Sequence, residues 1–93
     1  MEAPAEDAWE ADRDGTNVDV GVNVQMAPPA AAFFGVQHRE TGTQGQWIDD
    51  GNLIVGQPAT IENVGPSQDV QTRYLDINMN ASDWSATHVC PSE

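Results

Sequence analysis

The chain has 93 residues, of which 15 are acidic and three are arginine, with no lysine, giving a formal net charge of -12. Leu, Ile, Val and Phe number only 17, so the length and composition describe one small domain with a lean core. A charge of that sign repels phosphates and excludes a nucleic-acid binder, and no apolar run approaches the ~20 residues that a membrane-spanning helix needs.

Residues 1–17 (MEAPAEDAWEADRDGTN) are acidic and small, with Trp9 as their one aromatic side chain. No apolar stripe at helical spacing is present to bury. The segment reads as an extended acidic N-terminal arm, outside a folded domain over 18–93, with Trp9 anchoring it to a partner surface. Within it, Glu10, Asp12, Asp14, Gly15 and Thr16 follow the opening spacing of a calcium loop, in which the glycine allows the sharp turn that gathers the oxygens. The closing position holds Gly21 instead of a bidentate glutamate, so Asp19 is the substitute ligand. The competing reading is a solvated acidic turn. No other cofactor is indicated.

From Asn17 the pattern changes. Val18, Val20, Val22, Val24 and Met26 alternate with polar or small residues, which predicts a strand with one dry and one wet face. Pro28 and Pro29 end it. Ala31 to His38 predicts a second strand, with Phe33 or Phe34 turned inward. Residues 39–46 form an exposed loop. Apolar character resumes at Trp47 and Ile48, and Asp49-Asp50-Gly51-Asn52 has the composition of a tight turn. Short strands are expected at Leu53–Val55 and Ala59–Val64. Asp69 to Asn80 predicts a long strand whose alternation slips by one residue near Tyr74 and Leu75, as at a β-bulge. Trp84 to Val89 predicts a last short strand. Six or seven short strands separated by Gly, Pro and Asn turns indicate an all-β fold, a small antiparallel β-sandwich or barrel.

No constellation for catalysis stands out. The carboxylate pairs lack an apolar pocket to separate their pKa values, and no Ser-His-Asp arrangement is visible, so the expectation is a non-enzyme. His38, His88 and Cys90 are three soft ligands without a fourth, which is poor for zinc. Asn80-Ala81-Ser82 is a glycosylation sequon, meaningful only if the chain meets a glycosylating system. Trp47, Trp84 and Tyr74 form a candidate aromatic platform, set against simple packing roles. The lone Cys90 cannot form an internal disulfide.

The run Gly51-Asn52-Leu53-Ile54-Val55-Gly56-Gln57-Pro58, then a strand ending in Asn63-Val64-Gly65, then Leu75, Ile77 and Trp84, resembles the immunoglobulin-like β-sandwich modules of surface and virion proteins. The resemblance spans roughly 18–89 and carries architecture alone, because the cysteine pair of antibody domains is missing. The lysine-free acidic composition is similar to that of proteins from salt-loving organisms, haloarchaea above all. Together these imply an accessory protein of a virus particle, a capsid decoration or turret subunit, made in the host cytoplasm and resident in the virion. The expected partners are further copies of itself and major capsid or other virion proteins, contacted through Trp9, Phe33, Phe34, Trp47 and Trp84. The rival readings are a cell-surface or pilus-like adhesion domain, and a small calcium- or carbohydrate-binding module.

Overall fold

The computed structural model describes residues 1–92. Seven strands run in the order β1 (Trp9–Asp14), β2 (Asn17–Val22), β3 (Phe33–Glu40), β4 (Ile48–Ile54), β5 (Ala59–Ile61), β6 (Gln68–Leu75) and β7 (His88–Cys90). They form two antiparallel sheets, one of three strands ordered β1-β2-β5 and one of four ordered β4-β3-β6-β7. Both contribute to one apolar cluster: Trp9, Val18, Val20, Val22, Ala59 and Ile61 from the first, and Phe34, Val36, Val70, Tyr74 and Cys90 from the second. This is the architecture of a small β-sandwich, with alternate residues of each strand turned toward the other sheet.

The valine alternation behaves as expected through Val22, with Val18, Val20 and Val22 all buried. Beyond it, Val24–Met26 forms a single 3-10 turn, because Asn23 caps it by accepting the Gln25 amide and the chain must leave the sheet before Pro28. Phe34, not Phe33, fills the core.

Three expectations are corrected. The segment expected as a free arm instead contributes β1, which pairs with β2 along its full length, so the sandwich begins at Trp9 and not at residue 18. Its turn is a two-residue Gly15-Thr16 hairpin with Gly15 at φ +61°, a conformation glycine adopts without a Cβ penalty. Second, Asp49-Asp50-Gly51-Asn52 lies inside β4. There it bulges against β3, with Gly51 at φ +89° and the register shifting between Gly35 and Gln37. Third, the apparent slip near Tyr74 is the end of β6. Leu75 is its last residue, and Asp76 starts a tight turn in which its carboxylate accepts the Asn78 and Asn80 amides.

The last strand is shorter than its expected range, yet the chain lies beside β6 well before it. Ser82 donates its amide to the Tyr74 carbonyl, and its hydroxyl accepts the Tyr74 amide. Ser85 makes the same pair of bonds with Thr72. Two serine hydroxyls thus replace backbone acceptors along this edge, and they hold Trp84 between them over the outside of β6.

Burial leaves a few polar atoms stranded. Thr72 is fully buried and its hydroxyl has no hydrogen-bond partner among the described residues. Thr72→Val keeps the shape and removes the orphan group, so urea unfolding should show a gain of about 1–2 kcal/mol. A loss would mean that the hydroxyl has a role its surroundings do not reveal.

Candidate functional site

The outward face of the four-stranded sheet carries the chain's most distinctive arrangement. On β3, Phe34, Val36 and His38 point inward, so Phe33, Gly35, Gln37 and Arg39 point outward. Register places Gly35 opposite Arg73, Gln37 opposite Gln71, and Arg39 opposite Asp69. The guanidinium of Arg39 lies 4.3 Å from the ring centre of Trp47, and that of Arg73 lies 4.4 Å from Trp84. Each contact is a cation–π pair, and both indoles are half-buried.

Gly35 lies under the arginine of the second stack. A Cβ there would meet the Cγ and Nε of Arg73 at an ordinary 3.5 Å but would stand 2.8 Å from Asn52 Oδ1, so the Asn52 side chain is what an added methyl would displace. Between the two stacks, Gln37 donates to Gln71 at 2.6 Å, and Gln71 donates onward to Thr87. Ile54 is exposed beside half-buried Phe33, which adds an apolar row at one end.

The electrostatics of this face set it apart from the rest of an acidic protein. Arg13, the third cation, is occupied internally: it donates to the carbonyls of Val64, Pro66 and Pro91 and clamps the β5–β6 loop and the segment after β7 to β1. Arg39 approaches Asp69 at 3.9 Å and donates to the Gly45 carbonyl. Arg73 has neither a hydrogen bond nor an ion pair among the described residues, and its Nε is buried without a partner. Arg73 is thus a cation that stacks on Trp84 without an acceptor among the described residues, in a chain with 15 carboxylates.

Of the five side chains expected at subunit boundaries, Phe33, Trp47 and Trp84 do lie on this face. Trp9 and Phe34 do not. Trp9 is buried and stacks on His88 of its own chain with ring centres 3.9 Å apart, and Phe34 is wholly enclosed. Tyr74 is not part of an aromatic platform, since it sits in the core, where desolvation raises its phenol pKa.

The calcium reading meets the β1–β2 hairpin. Glu10, Asp12 and Asp14 are exposed on alternate positions of a straight strand, so they spread along it and do not wrap around a common centre. Asp19 stands opposite Asp12 and accepts from the Thr60 hydroxyl, while Thr16 lies in the turn. Among the described residues, no group of three or more His, Cys, Asp or Glu residues is placed to hold a metal ion.

Two other chemistry-bearing groups are structural in their geometry. His38 Nδ1 lies 2.6 Å from Asp50 Oδ2, which ties the inner edge of β3 to the β4 bulge. Cys90 is buried against the Ala11 carbonyl. Burial pushes its thiol pKa up, nearby Arg13 partly offsets this, and Asp12 adds to it. The unfolded thiol therefore ionises first, so its contribution to stability is whole below the unfolded pKa of about 8.5 and fades as pH rises through the higher folded value. Alkylation of Cys90 at pH 8 should accordingly be slow in the native protein and accelerate with denaturant in step with unfolding. Rapid labelling of the folded chain would contradict this burial.

An open cleft of about 300 Å³ lined by Asp7, Trp9, Glu10, Gly21, Val22 and Asn23 lies where the N-terminal segment enters the sandwich. Compared with known proteins, the chain matches no family model and no curated relative.

Proposed function

We propose that the chain is a non-enzymatic structural subunit. In this reading it is an immunoglobulin-like β-sandwich that binds neighbouring subunits of a larger lattice through the outer face of its four-stranded sheet. The topology supports the immunoglobulin-like assignment: the chain crosses between sheets after β2, after β4 and before β6, leaving three strands against four. The observation that carries the reading is the pair of Trp–Arg stacks on one face, with Arg73 unmatched. Tryptophan and arginine are the residues that dominate interface energetics when desolvated together. A lysine-free acidic exterior, a lean core and a docking face without catalytic chemistry suit a decoration or turret protein of a virion from a saline host.

Sedimentation in low and multimolar potassium chloride tests this. The expected result is self-association or lattice binding that survives high salt and weakens at least tenfold in Trp47→Ala/Trp84→Ala. A folded monomer under every condition, with no affinity for its lattice, would overturn it. A carbohydrate-binding role is the second reading, favoured by two half-buried indoles flanked by the Gln37, Gln71 and Asn52 amides. Quenching of tryptophan fluorescence by oligosaccharides, absent in the same double variant, would select it.

A further inference from the structure

The exposed apolar side chains are not scattered. Met1, Val24, Met26, Ile54, Ile77 and Met79 are six of the eight large apolar residues most open to solvent, and all belong to one end of the sandwich. Register establishes this: Trp9 opposes Val22, and Phe33 opposes both Ile54 and Leu75, so the N-terminal segment and the β2–β3, β4–β5 and β6–β7 loops emerge together. Hydrogen bonds tie them, from the Asn23 amide to the Ala8 carbonyl, the Ala32 amide to the Leu75 carbonyl, and the Val55 amide to the Ala32 carbonyl. All three methionines of the chain are here, and methionine is the most adaptable apolar contact residue.

The most exposed part of this tip is built, not slack. Asp76 Oδ1 accepts the Asn78 and Asn80 amides at 2.9 Å, and Oδ2 accepts from Asn80 Nδ2. Met79 is held at φ +65°, an uncommon conformation for a side-chain-bearing residue. The result presents Ile77 at 78% exposure beside Met79. A rigid apolar tip has less ordering entropy to lose on docking. The same segments carry Glu2, Glu6, Asp7, Asp76 and Asp83 and contain no lysine or arginine. That charge repels anionic bilayers and calls for a surface that is apolar and cationic.

The outer sheet face offers the complement at one place, where the unmatched Arg73 lies against Trp84 with Phe33 in the next row. We infer that the acidic, apolar loop end of one copy docks onto the Trp84–Arg73 region of the outer sheet face of a second copy. This rests on the structural-subunit reading and specifies its self-contact. The tip's Ile77 and Met79 and the receiving Trp84 and Arg73 share no residue, so the contact is head-to-side and propagates into a ring or filament.

Two variants of the full chain test it in multimolar potassium chloride. Ile77→Ser/Met79→Ser alters only exposed tip side chains, and Arg73→Gln/Trp84→Ala removes the receiving face. Thermal melts establish that each is folded. Each alone is expected to self-associate roughly 10- to 100-fold more weakly than the parent, as loss of central anchors does. An equimolar mixture should form dimers and nothing larger, because only one intact tip and one intact face remain in each pair. If the parent assembles but either variant assembles unchanged, or the mixture fails to dimerise, the head-to-side contact is wrong while the structural-subunit reading stands. A parent that stays monomeric overturns the contact. If it also fails to bind its lattice, the broader reading falls too. Flotation of the monomeric parent with phosphatidylcholine vesicles, lost in the tip variant, would assign the tip to a membrane instead and overturn the inference.

Discussion

Phe34→Ala is expected to cost about 3–5 kcal/mol, a large share of the 5–15 kcal/mol typical of a whole domain. Phe34 is wholly enclosed on β3, between Leu53 of β4 and Tyr74 of β6 in register, and it belongs to the same cluster as Val18 and Val20 of the facing sheet. The facing valines are β-branched and stiff, so they cannot lean into the space an alanine would leave. The cavity persists, and its cost adds to the lost transfer energy. A melting temperature lower by roughly 20 °C follows for a chain of this size. Phe33→Ala, on the half-buried outer side of the same strand, should cost only about 1 kcal/mol. Equilibrium denaturation of the pair checks both. Equal losses would mean that the two sides of β3 are assigned wrongly.

The second large effect is that of salt. Twelve net negative charges on a chain with a 12.5 Å radius of gyration repel one another most strongly when folded. Asp12 and Asp19 face each other directly across β1 and β2, with Glu10 and Asp14 on the same side, and like charges in that position oppose pairing. Unfolding spreads the charges apart. At 0.05 M salt the Debye length exceeds 10 Å, and in multimolar salt it falls to about 3 Å or less. Stability should therefore rise by several kcal/mol between those limits, in potassium chloride as well as in salts that strengthen apolar burial. Asp12→Lys should flatten the slope by supplying Asp19 with a partner. Stability independent of salt in the parent would remove the electrostatic reading of its composition.

How much of this was legible in the sequence depended on whether a signal was local. The three valines of β2 announce a strand because, with Val24 and Met26, they make five large residues at period two. β1 has the same period, with Trp9, Ala11 and Arg13 on the side opposite Glu10, Asp12 and Asp14. It read as an arm because its middle inward residue is a small alanine and its last is a cation whose three backbone partners lie more than 50 positions away. The Asp-Asp-Gly-Asn segment has turn chemistry, and a bulge uses the same glycine freedom, so composition could not separate them. At the candidate site, Trp47 and Trp84 are legible as bulky residues in polar surroundings. Their arginine partners are not: local spacing pairs Arg39 with Glu40 and Arg73 with Asp76, whereas stacking on the indoles is set by which side of β3 and β6 faces outward. The tip was hidden for a similar reason: its apolar residues are far apart in the chain and meet only through topology.

The β4 bulge has one more consequence. β4 is an edge strand, and a valine-rich sandwich with an open flank invites strand-to-strand addition and fibril growth. Acidic side chains deter such stacking in dilute buffer, but brine cancels that deterrent. A kink at Gly51 does not depend on ionic strength, because it distorts the flank itself and spoils the template for an incoming ribbon. The protein thus carries a steric safeguard that works under the conditions in which its charges cannot.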